Sequence, residues 1–167
     1  MDIQSCPERK NPWAHIRAWQ AAFGDDPSKV LLMKIRAGKR TKVVLKELRE
    51  MIGKARNIQI LTQDFSAEEI ERFQRMGDVF LSLHRSEGYG LVIHEMLMHG
   101  IPVLATDWSA NHEFGPNYPN YFGVSYDLIP YSDWMHHYPG PSFKWADPSI
   151  QHAAGLLRDI ADTRKAG

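Results

Sequence analysis

The 167-residue sequence has one cysteine, Cys6, so no disulfide can form within the chain and a reducing, cytosol-like compartment is the expectation. It has no net charge, because 20 Lys and Arg offset 20 Asp and Glu. A nucleic-acid binder needs unpaired cations to displace counterions from phosphates, and that footprint is missing. Long apolar runs are missing too. VLLM is among the longest, far below the ~20 residues that a membrane-spanning helix needs. The opening MDIQSCPERK has no hydrophobic signal core. No Gly-x-Ser-x-Gly elbow marks a serine hydrolase. There is no Walker A lysine, and no Asp-x-Asp pair to offer a divalent cation two carboxylates. What is present is ordinary: 43% hydrophobic and 24% charged residues, the balance of a globular protein. At roughly 150 residues per domain, residues 1–167 make one domain.

Apolar runs of strand length alternate with helical patterns. DIQS reads as a strand end already running into a loop, as expected of a piece of a longer protein whose first strand is shortened. Pro12 opens a helix whose apolar positions Trp13, Ile16, Trp19, Ala22 and Phe23 recur at helical spacing. VLLMKI, NIQIL, VFLSL and PVLAT read as buried strands. VVLKELREMIG is an amphipathic helix stopped by Gly53, and LVIHEMLMH is one stopped by Gly100. Ser66 and Glu69 form a capping box, before an inner face of Ile70, Phe73 and Met76. Asp147 and Pro148 open a last helix reaching about Arg164. This alternation predicts an α/β domain: a doubly wound, Rossmann-like parallel sheet of about six strands with helices on both faces. Ligands of such sheets sit beyond the carboxyl ends of the strands, so the loops after DIQS, VLLMKI, NIQIL and VFLSL should carry function.

Residues 114–145 break the pattern with ten aromatics and five prolines. So many prolines disfavour regular central elements, and the segment reads as an ordered loop packed on its own aromatics or as a wall against a sugar or partner domain. His136 and His137 within it are weak evidence for a metal.

The informative stretch is HRSEGYGLVIHEMLMHGIPVLATDWSANHEF, residues 84–114. Gly88 and Gly90 stand where a strand passes into a helix, letting a ligand approach the backbone. The helix N-terminus behind them presents unpaired N–H groups, a natural phosphate site. Ile93 replaces the third glycine of a dinucleotide fingerprint. Glu87 lies in the loop, and Glu95 follows in an almost continuously apolar helix. Burying Glu95 requires hydrogen-bond donors, and ribose hydroxyls would serve.

SEGYGLVIHE resembles the Glu-x7-Glu motif of family 4 retaining glycosyltransferases of the GT-B fold, and HGIPVLATDWSANHEF, ERKNPWAHIRAW and WADP resemble further family segments in family order. The resemblance implies the C-terminal, donor-binding half of such an enzyme. It implies that Glu87 lies against the transferred sugar and that Glu95 holds the nucleotide ribose. It implies that Gly88, Tyr89, Gly90 and Leu91 turn their backbone toward diphosphate and sugar. Lys10 would neutralise the diphosphate with Arg9 as its helper, although Arg9 also reads as an exposed loop charge. Ser5 stands where the family carries a second basic residue. Thr62 and Gln63, in a stretch reaching Phe65, match the region that edges the base. No cofactor or metal is expected, only a nucleoside-diphosphate sugar as donor. An acceptor glycan or glycolipid would be met through a separate N-terminal domain, so the chain alone should bind nucleotide sugar and transfer little. A cytoplasmic location is the expectation from the lone cysteine, at the membrane surface if the rest of the protein carries it there.

Other readings compete. HEMLMH looks like a zinc helix, but His94 and His99 are five apart, about 140° around the helix, and cannot share an ion. Cys6 has no base beside it and reads as a buried or incidental thiol. A non-catalytic nucleotide- or sugar-binding module on the same fold is the alternative from another class.

Overall fold

The computed structural model describes residues 1–4, 6–36, 38–131 and 143–165. Ser5, His136 and His137 lie outside them. The chain begins with a short helix α1 (Pro7–Lys10), a left-handed Asn11 at φ 49°, and α2 (Pro12–Phe23). Then follow β1 (Leu31–Lys34), α3 (Lys42–Ile52), β2 (Ile58–Leu61), α4 (Ala67–Arg75), β3 (Phe80–Ser82) and α5 (Leu91–Met98). The second half holds β4 (Val103–Thr106), α6 (Ala110–Phe114), β5 (Tyr121–Val124), β6 (Tyr126–Pro130), β7 (Lys144–Pro148) and α7 (Ile150–Lys165).

The pairings are those of an α/β domain. β1 and β2 run parallel, and so do β3, β4 and β5 in that order. Asp2 adds one more parallel position by bridging Arg36 at the end of β1. β4 is buried throughout and shows why helices cover both faces. Side chains alternate across a strand, so Val103 and Ala105 pack with Ile93, Met96 and Leu97 of α5. Leu104 faces the other way, into a cluster with Ile16 and Trp19 of α2 and Ala153, Leu157 and Ile160 of α7.

Three expectations change. Residues 114–145 are not a single loop: β5 pairs parallel with β4, and β6 and β7 form an antiparallel hairpin. Tyr121, Phe122, Tyr126 and Trp145 lie on those strands, and Tyr131 sits edge-on to Trp145 at 4.9 Å. Asp147 and Pro148 end β7 rather than open the last helix. That helix begins after Ser149, whose Oγ accepts the His152 N–H at 3.3 Å. The Ser66 capping box forms as read, with Ser66 N–H to Glu69 at 2.7 Å and Glu69 N–H to Ser66 at 3.2 Å. Its helix packs differently from expectation, because Ile70 and Phe73 line a cavity and Met76 is exposed.

One buried imidazole ties the N-terminal helices to the sheet. His15 accepts the Leu83 N–H on Nε2 at 3.2 Å, so its proton sits on Nδ1, 3.0 Å from the Asn11 carbonyl. Burial holds its pKa down to about 4, and burial also lowers that of His84. An unfolded histidine titrates near 6.5. Between the two values the unfolded chain binds protons that the folded one does not. Stability is therefore whole above pH ~6.5 and falls as pH drops toward 4, by about 3 kcal/mol for His15 at ~1.4 kcal/mol per pH unit. The urea midpoint is expected to fall over that window. His15→Gln, less stable at pH 7, should show a flatter profile, and an equally steep one would place the loss elsewhere.

Candidate functional site

The site grows from the end of β3. The chain leaves the strand through buried His84 and reaches Glu87, while α1 places Arg9 and Lys10 in its last turn beside that loop. Backbone bonds fix the approach, since Arg85 N–H donates to the Arg9 carbonyl at 2.8 Å and Arg85 accepts the Ala146 N–H at 3.0 Å. The Arg85 guanidinium reaches Asp147 at 2.8 Å and the Glu8 carbonyl at 3.2 Å. The loop is thus held between α1 and β7.

Glu87 is clasped by two cations. Lys10 Nζ donates to Oε1, and Arg9 donates to Oε2 at 3.2 Å and to the Ser86 carbonyl at 3.1 Å. Burial alone would push the Glu87 carboxyl up, but the bonded charge of Lys10 and that of Arg9 outweigh it and hold the group below its usual range. Two cations against one carboxylate leave local positive charge. Arg9 Nε is buried with no hydrogen-bond partner among the described residues.

Beyond Glu87, Gly90 caps α5 at φ 80°, in the left-handed region where an added Cβ would also sit 3.3 Å from Ile93. A cavity of about 1530 Å³ opens here. Arg9, Lys10, Glu87 and residues 88–93 line it, together with Trp19, Phe23 and residues of β1 and β3. It exceeds the ~300–1,000 Å³ of common small-molecule sites.

The sequence candidates fall into three groups. Glu87, Lys10, Arg9, Gly88, Tyr89, Gly90 and Leu91 are brought together on this cavity. Glu95 is not buried as its apolar neighbours suggested. It lies on an open face of α5 with Leu91 and Met98, while Ile93, Met96 and Leu97 turn inward. Thr62 and Gln63 are exposed after β2, whereas Asp64 and Phe65 line the cavity and Lys34 stands 5.1 Å over the Phe65 ring. His94 is occupied by packing, with Tyr89 Oη at 3.2 Å and Tyr118 Oη at 2.8 Å. Cys6 is buried, its thiol 3.6 Å from the Glu8 carboxylate. Sequence reading passed over Arg85, His84 and Ser109, whose partners, backbone groups and for Arg85 also the Asp147 carboxylate, lie far away in the chain where no spacing rule reveals them. Only the position of Arg85, two residues before the loop glutamate, hinted at it.

A family model for glycosyl transferases group 1 matches residues 7–120, and the chain belongs to that family. Among solved structures, the C-terminal domain of the group 1 glycosyl transferase LpcC from Francisella tularensis resembles it with a TM-score of 0.64. Identity is 17%, over 99% of this chain and 72% of that one. Pneumococcal O-GlcNAc transferase GtfA, in complex with UDP and GlcNAc, gives 0.58 at 18% identity. That match covers 99% of this chain but 28% of the pneumococcal enzyme. At these identities the likeness establishes the fold, that of GT-B Rossmann-like domains. No curated protein matches the chain.

The Arg85–Asp147 bridge is testable as a pair. Arg85 is largely shielded while Asp147 is nearly half exposed, so screening keeps the coupling modest. A double-mutant cycle of Arg85→Ala and Asp147→Ala is expected to give about 0.5–1 kcal/mol. Additivity within error would show that the bridge adds nothing to the hold on the hairpin.

Proposed function

We propose that this domain binds a nucleoside-diphosphate sugar and forms the donor half of a retaining glycosyltransferase. The observation that carries the reading is the Glu87 carboxylate clasped by Lys10 and Arg9, at the mouth of a cavity and beside the N-terminus of α5. In the transfer, the bond between the anomeric carbon and the β-phosphate oxygen breaks and the nucleoside diphosphate departs. The acceptor oxygen bonds to the carbon and gives up its proton to the departing phosphate oxygen. Charge builds on the leaving phosphate, where Lys10, the Arg9 guanidinium and the α5 N–H groups are preorganised to receive it. Removal of one such donor typically lowers a rate by roughly 100- to 1,000-fold.

Glu87 stands against the sugar, with Gly88, Tyr89, Gly90 and Leu91 forming the approach to the diphosphate. Glu95, exposed in the second turn of α5, takes the ribose hydroxyls, and Thr62 and Gln63 edge the base beside Phe65. No metal ion is required in this reading, because the phosphate charge is met by side chains and helix. A second domain facing the cleft presents the acceptor glycan or glycolipid, on the cytoplasmic side.

Thermal unfolding with UDP, GDP and ADP, each with and without EDTA, tests the reading. A nucleotide at 100 times its dissociation constant adds about 2.7 kcal/mol, a rise of roughly 5–10 °C for a domain of this size. One nucleotide is expected to act, unaffected by EDTA, and to lose most of its effect in Lys10→Ala and Glu95→Ala. Absence of any rise at millimolar nucleotide would contradict donor binding by this domain, and a rise abolished by EDTA would contradict the metal-free clamp.

A further inference from the structure

The loop from Thr106 to Asn111 does more than join β4 to α6. Ser109 within it has φ 70° and ψ −159°, a conformation that side chains rarely adopt and that glycine takes freely. The strain sits where this loop meets the one carrying Glu87. Ser109 Oγ accepts the Glu87 N–H at 3.2 Å. One residue earlier, the Trp108 carbonyl lies 3.4 Å from Nε2 of the buried His84 ring. Trp108 N–H in turn donates to the Thr106 carbonyl at 2.8 Å, and buried Asn111 donates to the same carbonyl at 2.8 Å. The two loops therefore touch at both ends of the segment from His84 to Glu87. The strained residue supplies the contact nearer the carboxylate.

A glycine would relieve the backbone here but has no oxygen for the Glu87 amide. We propose that Ser109 is a positioning residue, whose hydroxyl sets the main chain of Glu87 so that its carboxylate is held toward the sugar of a bound nucleotide sugar. This rests on the donor-binding reading above. It adds a residue that neither the Glu-x7-Glu spacing nor the cavity lining reveals. Lys10 and Arg9 fix the end of the Glu87 side chain, while Ser109 fixes its root.

Comparison of Ser109→Ala with Ser109→Gly separates positioning from stability. Both lose the hydroxyl, but only glycine relaxes the turn, so Ser109→Gly should melt several degrees above Ser109→Ala. Two readouts follow: amide hydrogen exchange at Glu87, and the ratio of affinities for UDP-glucose, GDP-mannose and ADP-glucose to those for UDP, GDP and ADP. Both variants are expected to speed Glu87 exchange. Both should also lower the affinity ratio of the pair that binds by about three- to tenfold, with the affinity for bare nucleotide nearly unchanged.

A Ser109→Gly protein that keeps the wild-type ratio and Glu87 protection would overturn the proposal, since Ser109 would then serve the turn alone. Readouts that follow the melting temperature, with Ser109→Ala impaired and Ser109→Gly intact, would overturn it likewise. If the wild-type protein binds no nucleotide of the panel, the donor-binding reading fails. Accelerated Glu87 exchange in Ser109→Gly would then still support the contact between the loops, and unchanged exchange would dismiss it.

Discussion

A carboxylate taken mostly out of water is tolerable only when opposite charge and hydrogen bonds replace its hydration, and Glu87 is in that position. Its partners come from far back in the sequence, Arg9 and Lys10 on a helix of four residues that ends at a left-handed Asn11. The clasp therefore dictates how the N-terminal segment sits against the end of β3. His15 reinforces the arrangement from below by joining α2 to Leu83, and Arg85 reinforces it from the side by reaching β7. Because the cations outnumber the carboxylate, the place where these elements converge is suited to an anion.

The sheet explains why this convergence occurs at a strand end. In parallel strands the carboxyl ends lie on one side, and each opens into a loop that leads to a covering helix. β3 supplies Glu87, β4 supplies the strained Ser109 loop, and the N-terminal segment supplies the cations. The glycine at φ 80° allows the chain to turn into α5 directly beyond the carboxylate. The chain that assembles these pieces belongs to the group 1 glycosyl transferases.

Much of this was legible in the residues. Pro12, the Ser66 capping box and the closing glycines 53 and 100 marked helix ends because each solves a local backbone problem. Glu87 and the glycines between it and Leu91 could be named from a strand-to-helix junction and Lys10 from the family resemblance, and they meet in space. Glu95 was placed correctly on its helix but wrongly buried, because an apolar neighbourhood in sequence says nothing of which side of a helix is covered. Leu91 and Met98 on the same side of the helix are exposed as well. The strands after Phe114 were hidden by proline. Pro130 ends β6 and Pro148 ends β7, positions where a missing N–H does little harm. Ser109 could not be read at all, since its strain and its bond to Glu87 exist only once two distant loops meet.

The central claim is that Lys10 and Arg9 keep the Glu87 carboxylate ionised and fixed at the strand end. Carbon-13 NMR of the Glu87 side-chain carboxyl, followed from pH 7 downward in the wild-type protein and in Lys10→Ala, tests it directly. The account predicts that Glu87 titrates below the ordinary glutamate value of about 4.3 and moves upward when Lys10 is removed. A Glu87 carboxyl that titrates in the ordinary range and ignores the loss of Lys10 would contradict it.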